Sequence, residues 1–315
     1  MVARLPAGLI RVVPPAADAD IARAEAALGR TLPHAYSSFL RSFDGADLFH
    51  ETLLIAGVGQ QAPRALTELA QDREEELVFA EAQSGYRFAL DASGRVWRYD
   101  PGAEERALAG TGFERWLDAT VAREQILFGP DGEYAPDVFD LGGEEVVPQV
   151  ALRQAERALK ADPGAAEAQH ARGLALVRLG RPQPALAAFA AAAELDGDNP
   201  WPWFDLGRTA LELDRPGEAL AAFRRAAALE SGPTGARLAA WGARAAAEAG
   251  DGAAAAALRA EALARDPTLV DGLRHALDDA RQHQDGDGER EAAALLTAIA
   301  PDAPVPPPRR RLPLA

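Results

Sequence analysis

The sequence contains no cysteine, a single lysine (Lys160) and five histidines in 315 residues. The lack of cysteine excludes disulfides, thiolate zinc sites, iron–sulfur clusters and cysteine catalysis. Neither a G-x-S-x-G nucleophile motif nor a lysine-bearing P-loop is present. Five scattered histidines offer few catalytic arrangements. We therefore expect a protein that is not an enzyme and that needs no cofactor or metal.

Long apolar runs are also missing, because no stretch approaches the ~20 apolar residues that a membrane span needs. The N-terminal MVARLPAGLIRVVPP is a short apolar patch interrupted by proline, which makes a poor signal peptide. Heavy use of arginine, alanine, glycine and proline is typical of GC-rich bacterial genomes. We therefore expect a bacterial, cytoplasmic protein with no membrane partner.

Basic residues are fewer than acidic ones, 33 against 48, and the resulting formal net charge of −15 is unevenly distributed. Residues 1–130 carry 13 arginines against 19 acids, a net charge of −6, and residues 131–148 carry six acids and no base. Such a chain repels nucleic acid and attracts basic proteins. The expected partner is therefore a protein and not a nucleic acid, while the sequence does not indicate an oligomeric state.

From about residue 148 the chain repeats itself, in blocks that begin at Ala166, Pro200, Ala236 and Val270. The first two blocks share glycine, alanine, phenylalanine and alanine at the same four positions: Gly173, Ala185, Phe189 and Ala192, then Gly207, Ala219, Phe223 and Ala226. Small residues let paired helices approach closely, and the aromatic ring fills the space between them. This pattern resembles the tetratricopeptide repeat, which implies an all-α helical solenoid.

The later blocks depart from this pattern. In the third block Ala243 replaces the glycine and Arg259 replaces the aromatic residue. The fourth block, with QHQDGDGER as its turn, is expected to be a capping helix pair. The tail PVPPPRRR contains Pro304-x-x-Pro307-x-Arg309, which mimics a polyproline ligand, although a disordered tail is the favoured interpretation.

The N-terminal part shows a different pattern, which predicts an α+β domain. DADIARAEAALG predicts a helix that ends at Gly29, and Pro33 is expected to open the next helix. LVFAEA, YRFALDA and RVWRYD are β-rich runs separated by Ser-Gly turns, and they predict an antiparallel meander. TGFERWLDATVAREQILFG predicts a closing helix with a capping box between Thr111 and Glu114.

This part of the chain, roughly residues 18–128, resembles the SUKH superfamily, the Smi/Knr-type domain. The resemblance is carried by the segments AEAALGRTLPHAYSSFLRSFDGADLF, GRVWRYD and FERWLDA. The resemblance implies an antiparallel sheet with flanking helices and a role in protein binding rather than catalysis. It also implies a bacterial immunity protein, a cytoplasmic antidote that binds a toxin, often a basic nuclease. The alternative is a regulatory scaffold for cell-envelope or signalling complexes, because the fungal relatives are linked to cell-wall control.

The expected organisation has four parts. They are a SUKH domain over residues 1–128, an acidic connector over 129–147, helical repeats over 148–303 and a disordered tail rich in proline and arginine over 304–315. Tyr134, Val138 and Phe139 could pin the connector to one domain, so a fixed connector and a flexible linker both remain open.

A functional alternative of another class is a nucleotide-binding enzyme. This hypothesis rests on GVGQQA, Gly57 to Ala62, which fits the dinucleotide-binding pattern G-x-G-x-x-A, with Glu81 as the acid that would bind a ribose. Pro63 follows at once and the next strands are connected by hairpins, so a glycine turn that ends a strand is the favoured interpretation. The acidic run DREEEL, residues 72–77, indicates a solvated turn or a docking site for a basic partner.

Two further patterns imitate metal sites. His275, Asp279 and His283 share one helix face, but ligands spread over two turns rarely converge on one ion, so a solvated face is favoured. DGDGE, residues 285–289, imitates the start of a calcium loop but lacks the later glycine and glutamate, and we reject it.

The repeats offer a candidate peptide-binding groove. In the tetratricopeptide family, five positions of each first helix line a concave surface. At these positions the chain has Glu167, His170, Leu174, Arg178, Trp201, Phe204, Arg208, Arg237 and Arg244. Aromatic rings beside arginines would suit a peptide with apolar anchors and a carboxylate. The alternative is that Trp201 packs against the connector or the other domain.

Overall fold

The structure, a computed structural model, describes residues 8–70, 75–101, 106–143 and 145–302. The chain divides into two compact units. The first runs up to Pro184 and includes Glu194–Asp196, and the second holds Ala185–Ala193 and the chain from Gly197 onward. The proline-rich tail motif and part of the DREEEL run lie outside the described residues. Within these ranges no helix combines the length and apolar character needed to cross a bilayer.

The first unit contains one antiparallel sheet of seven strands, each paired with the next along the chain. The strands are β1 (Ile10–Val12), β2 (Ala46–Leu48), β3 (Leu53–Ile55), β4 (Leu77–Ala82), β5 (Arg87–Leu90), β6 (Val96–Tyr99) and β7 (Arg106–Gly110). The predicted runs correspond to β4, β5 and β6. The α+β fold class of this part of the chain and its antiparallel meander are therefore confirmed.

Helices flank this sheet. They are α1 (Asp18–Leu28), α2 (His34–Leu40), α3 (Leu66–Leu69), α4 (Phe113–Glu124), α5 (Pro148–Ala161) and α6 (Ala166–Arg178), with a 3₁₀ turn at Gln125–Leu127. As predicted, α1 ends at Gly29, whose φ of 65° lies in the left-handed region that glycine tolerates. Helix α2 begins at His34, so Pro33 is the residue before the helix rather than its first residue.

Aromatic rings fill the core between α2, α4 and the sheet. The Phe113 ring centroid lies 5.2 Å from that of Tyr36 and 5.3 Å from that of Phe79, and the Trp116 ring lies 5.0 Å from that of Phe79. The Tyr36 hydroxyl donates a hydrogen bond to the Ala56 carbonyl at 2.7 Å, which satisfies the polar end of a fully buried ring. Burial, and then the nearby Asp44 charge, raise the pKa of Tyr36 well above its usual value.

The predicted capping box at the start of α4 is wrong. The residue that precedes α4 is Gly112, and no side chain caps the helix. Thr111 instead donates its hydroxyl to Asp162 Oδ1 at 2.8 Å and its backbone N–H to Asp162 Oδ2 at 2.7 Å. Asp162 is fully buried at the end of α5, and a buried carboxylate must be hydrogen-bonded, so it takes the donors of Thr111.

The second unit is helical. Its elements are the part of α7 (Pro182–Leu195) that falls in this unit, α8 (Pro200–Glu212), α9 (Pro216–Leu229), α10 (Gly232–Glu248), α11 (Gly252–Arg265), α12 (Leu269–His283) and α13 (Gly286–Ile299). A Cβ at Gly207 of α8 would lie 2.7–2.9 Å from the Phe223 ring of α9, which is closer than real Cβ contacts. The predicted pairing of a glycine with an aromatic ring is therefore present in this repeat.

The third repeat pairs a glycine with a leucine instead of an aromatic ring, and the pair lies one residue earlier than the sequence alignment places it. Gly242 faces Leu258, with a Cβ-to-Cδ1 distance of 3.2 Å for an added Cβ. Leu258 is buried, whereas Arg259 donates from Nε to the Ala298 carbonyl at 2.9 Å. The assignment of Ala243 and Arg259 to these two positions is therefore wrong. Helix α10 begins at Gly232, four residues ahead of the expected block start at Ala236. The faces of an alanine-rich helix differ little in sequence, so the alignment does not fix the register of the repeat.

Candidate protein-binding surfaces

The Gly57–Ala62 loop closes on a buried carboxylate. Asp44, only 4% exposed, accepts hydrogen bonds from the backbone N–H groups of Val58 at 2.7 Å and Gly59 at 2.8 Å. A Cβ at Gly57 would lie 2.3 Å from the Asp44 carbonyl oxygen, and one at Gly59 would lie 2.4 Å from Asp44 Oδ2. The glycines are therefore explained by their close approach to Asp44. These two N–H donors, which a phosphate would need, already bind this carboxylate.

The acid proposed for a ribose is also paired within the chain. Glu81 Oε2 lies 3.5 Å from Arg87 Nε and 3.7 Å from Arg64 Nη2. The sheet around it is antiparallel rather than doubly wound and parallel. The two sequence features behind the nucleotide alternative thus have structural roles.

The histidine face of α12 bonds to its own helix. His275 Nδ1 lies 2.8 Å from the Asp271 carbonyl oxygen, and His283 Nδ1 lies 3.2 Å from Asp279 Oδ1. Among the described residues, no three His, Asp or Glu side chains are grouped so that they could hold a metal ion. In the DGDGE stretch, Asp285 accepts the backbone N–H groups of Asp287 and Gly288 at the start of α13.

Only part of the acidic run DREEEL can be described. Asp72 and Glu74 lie outside the described residues. Glu76 is buried, and its Oε1 lies 2.9 Å from Arg106 Nη1 of β7, so this carboxylate has a structural role. Glu75 is exposed.

The candidate groove residues of α6 lie in the first unit, and two of them pair within that unit. Glu167 Oε1 lies 2.9 Å from Arg98 Nε of β6. Arg178 Nη2 lies 2.9 Å from Glu145 Oε2, and its Nη1 donates to the Val146 carbonyl at 3.3 Å. Leu174, between them on the same helix face, is exposed, and His170 is half-buried.

Helix α6 also packs directly on the sheet. Ala166 forms a buried cluster with Trp97 and Leu108 on β6 and β7. The backbone N–H of Leu108 donates a hydrogen bond to Asp196 Oδ2 at 3.0 Å. This bond satisfies a backbone donor on the edge strand β7. The first helix of the first repeat is therefore part of the N-terminal unit.

The connector between the sheet and α5 is packed as well. The Tyr134 ring stacks on Phe128 with centroids 4.7 Å apart, and it meets Phe139 edge-on at 5.1 Å. Val138 is buried in a small cluster with Leu127 and Val150. The residues that could pin the connector therefore do contact its neighbours within the first unit.

In the second unit, candidate groove residues surround a tryptophan. The Phe204 ring centroid lies 5.7 Å from the Trp241 ring, and the Trp201 ring lies 6.0 Å from the Phe204 ring. The guanidinium carbon of Arg208 lies 5.7 Å from the Trp241 ring centroid, and that of Arg244 lies 5.2 Å from it. We call Phe204, Arg208, Trp241 and Arg244 the α8–α10 cluster.

The arginines of this unit differ in their charge partners. Arg244 Nε lies 2.8 Å from Glu248 Oε1, and Arg237 Nη2 lies 3.6 Å from Glu291 Oε1. Arg208 is exposed and pairs with no carboxylate among the described residues. Arg208 is therefore the member of the α8–α10 cluster whose charge is left for a ligand carboxylate.

Sequence reasoning missed Trp241. It occupies none of the five groove positions, yet it stacks on Phe223 at 5.5 Å and supports both arginines of the cluster. The sequence offered one signal for Trp241. Tryptophan is rare in this chain, with five in all, and Trp241 lies between the candidate groove residues Arg237 and Arg244.

Two models of known families match segments of the chain. Residues 15–119 match the model of the SMI1/KNR4 family (SUKH-1), and residues 166–209 match a tetratricopeptide repeat model. No match was found among the curated proteins.

Solved structures with helical repeats are also similar. A crystal structure of YrrB, described as a tetratricopeptide protein with an unusual peptide-binding site, is 22% identical, covers 49% of this chain and 79% of its own, and has a TM-score of 0.35. A crystal structure of MamA is 19% identical, covers 51% of this chain and 93% of its own, and has a TM-score of 0.37. A MamA fragment from Desulfovibrio magneticus RS-1 is 21% identical, with coverages of 48% and 83% and a TM-score of 0.35.

Proposed function

Because this chain carries a SUKH domain followed by tetratricopeptide repeats, both of them protein-interaction modules, we propose that it is a bacterial immunity protein. In this role the protein binds a toxin in the cytoplasm and neutralises it by covering its active surface. The observation that carries the proposal is the SUKH match over residues 15–119, in a chain whose net charge is −15.

The charge distribution supports a basic partner. Six acids and no base lie within residues 131–148, next to a sheet domain that is itself acidic. A nuclease toxin presents a basic surface to nucleic acid, and an acidic protein is steered toward such a surface. Steering of this kind accelerates association and weakens as salt rises.

A tagged pull-down from the native host tests the proposal. We expect one dominant partner that carries a basic toxin domain and remains bound at physiological salt. Several partners that are lost on adding salt, or envelope-synthesis factors, would instead favour a regulatory scaffold.

We further propose that the repeats bind a peptide through the candidate groove residues. The strongest support lies in the second unit, where the α8–α10 cluster presents the unpaired Arg208 beside the half-buried Phe204, and the buried Trp241 packs against both. Such a site suits a carboxylate next to an apolar side chain. Of the other candidates, Leu174 remains exposed on α6, whereas Glu167 and Arg178 are already ion-paired.

The variant Arg208→Gln tests this second proposal, because the change removes a charge from an exposed side chain without opening the core. We expect the full chain with this change to bind a partner that uses the repeats more weakly. Arg274→Gln on α12, whose guanidinium is similarly exposed, is the matched control. Equal binding by both variants would contradict the α8–α10 cluster as a peptide site.

A further inference from the structure

The most exposed large apolar side chains among the described residues all belong to the first unit. Among the large hydrophobic residues of the described chain, Leu141 (111%), Tyr134 (56%) and Leu174 (43%) are the three with the greatest exposed fraction. One exposed apolar residue is ordinary, but several on one surface mark an interaction site.

Ring contacts, a β-bridge and a hydrogen bond connect the segments that carry these three residues. The Tyr134 ring lies 5.1 Å from Phe139, and Phe139 pairs with Val146 through a β-bridge. The Val146 carbonyl accepts a hydrogen bond from Arg178, and Leu174 lies one helical turn before Arg178 in α6. Leu141 follows Phe139 by two residues. We call this region the hairpin surface, defined by Glu133, Tyr134, Asp137, Leu141 and Leu174.

Backbone hydrogen bonds fix the segment that carries Leu141. The Asp140 N–H donates to the Glu145 carbonyl at 2.8 Å, and the Gly143 N–H donates to the Asp140 carbonyl at 2.9 Å. Leu141 is therefore at the tip of a tight hairpin, with its side chain in solvent. At the base, the Val147 N–H donates to the carbonyl of the buried Val138 at 3.0 Å. A surface held in this way loses little conformational entropy when it binds.

The segment that carries Tyr134 and Leu141 has charge of one sign. Residues 131–148 carry six acids and no base, and the nearby Arg178 is neutralised by Glu145 at 2.9 Å. Glu133 and Asp137 are exposed and form no ion pair with any described residue. Carboxylates around exposed leucine and tyrosine side chains complement a cationic segment that also has an apolar side chain.

We propose that the hairpin surface binds a basic segment of a partner protein, in which an apolar side chain is flanked by arginine or lysine. The apolar side chain contacts Leu141 and Leu174, and the flanking cations meet Glu133 and Asp137. The inference rests on the proposed function in that it takes the partner to be a protein, and it assigns that partner to one face of the first unit.

Selection from a displayed library of random twelve-residue peptides tests this inference without a known partner. The full-length protein is the target, and the enriched peptides are synthesised and titrated at low and physiological salt. We expect enriched peptides that combine arginine or lysine with a large apolar residue. The double variant Leu141→Ser/Leu174→Ser should weaken them about tenfold or more, and Glu133→Gln/Asp137→Asn should weaken them and reduce the dependence of binding on salt.

Matched controls separate this surface from general effects of hydrophobicity and charge. Val12→Ser/Leu195→Ser removes two other exposed apolar side chains, and Glu114→Gln/Asp278→Asn removes two other exposed carboxylates. Neither control should change the affinity. Failure to enrich basic peptides, or equal losses in variants and controls, would overturn the inference. If basic peptides bind the hairpin surface but the chain neutralises no toxin, the immunity proposal fails while this surface stands.

Discussion

At the scale of the residue, three aspartates of the first unit each bind and order the backbone around them. Asp44 binds two N–H groups of the Gly57–Ala62 loop, Asp91 binds the turn that leads into β6, and Asp162 binds Thr111. Carboxylates accept several hydrogen bonds at once, so each can hold a segment of irregular backbone.

Asp44→Ala should destabilise the first unit. The change removes the buried carboxylate that accepts the N–H groups of the half-buried Val58 and Gly59, and we expect a loss of about 2–4 kcal/mol in the free energy of unfolding. Urea unfolding followed by tryptophan fluorescence measures it. Asp278→Ala, on an exposed face of α12, is the control. A loss no larger than that of the control would show that Asp44 does not hold the loop.

Asp91 should make stability depend on pH. Burial alone would raise the pKa of Asp91, but hydrogen bonds from Ser93, Trp97 and Arg95 lower it from 3.8 to about 2. The carboxylate therefore stabilises the fold fully above the unfolded-state pKa, and this contribution is lost as the pH falls from about 4 to about 2. The shift corresponds to at most about 2.5 kcal/mol.

The variant Asp91→Asn tests this dependence. Stability is measured by urea unfolding between pH 6 and pH 2.5 for both proteins. The variant should be less stable than the wild type at pH 6, and the difference should shrink toward pH 2.5. A constant difference across this range would contradict the assignment to Asp91.

At the residue scale, the sequence predicted local contacts better than distant ones. Gly29 was correctly placed at the end of α1, because its role depends only on its own φ. Thr111 was assigned to a local capping box, whereas its partner is Asp162, 51 residues away. Spacing rules describe contacts within one element, and they contain no information on which distant carboxylate is buried.

At the scale of the element, close approach between helices explains the repeat pattern. In the second unit Gly207 lies under the Phe223 ring, and Phe223 is itself held by contacts with Phe204 and Trp241. The Phe223 ring is also fully buried. Glycine is therefore required here for the distance between two helices and not for backbone conformation.

Gly207→Ala should destabilise the second unit by about 1–3 kcal/mol, because the added methyl group overlaps a buried ring. Gly272→Ala in α12 is the matched control, since a Cβ there meets nothing within 4 Å. That control should stabilise the protein by about 0.5–1 kcal/mol through its higher helix propensity. Thermal unfolding of both variants measures the two signs, and a gain in stability for Gly207→Ala would contradict the packing described.

The end of α5 should tolerate substitution less well than the end of α11. Both ends carry an Asp-Pro turn, but the buried side chain of Asp162 accepts hydrogen bonds from the distant Thr111, whereas the side chain of Asp266 accepts them from the exposed Thr268 two residues later. We expect a loss of about 2–3 kcal/mol for Asp162→Ala and less than about 1 kcal/mol for Asp266→Ala. Urea unfolding compares them, and equal losses would contradict a specific role for Asp162.

Element type followed from the sequence where the pattern was long or the turns were clear. The repeat helices and β4, β5 and β6 were predicted, since periodicity and Ser-Gly turns define them. The short strands β1, β2 and β7 were not predicted, because three to five residues carry too little alternation and pair only through the sheet.

At the scale of the whole molecule, the acidic charge and the two interaction modules support one account of function. The SUKH match and the repeat match indicate binding to proteins. The sheet, the packed connector and α6 form one unit, so the acidic residues of the connector are presented on a defined surface. The sequence predicted the modules, but it could not predict that two of the groove residues of α6 would pair within this unit.

Co-expression with the dominant pull-down partner tests the central claim most directly. The partner is expressed in a bacterial host with and without this chain, and growth is measured. The account predicts that the partner alone stops growth and that the full chain restores it. It also predicts that Leu141→Ser/Leu174→Ser restores growth less well than the control Val12→Ser/Leu195→Ser. A partner that remains toxic in the presence of the full, folded chain, or one that is not toxic at all, would contradict the proposal that this is an immunity protein.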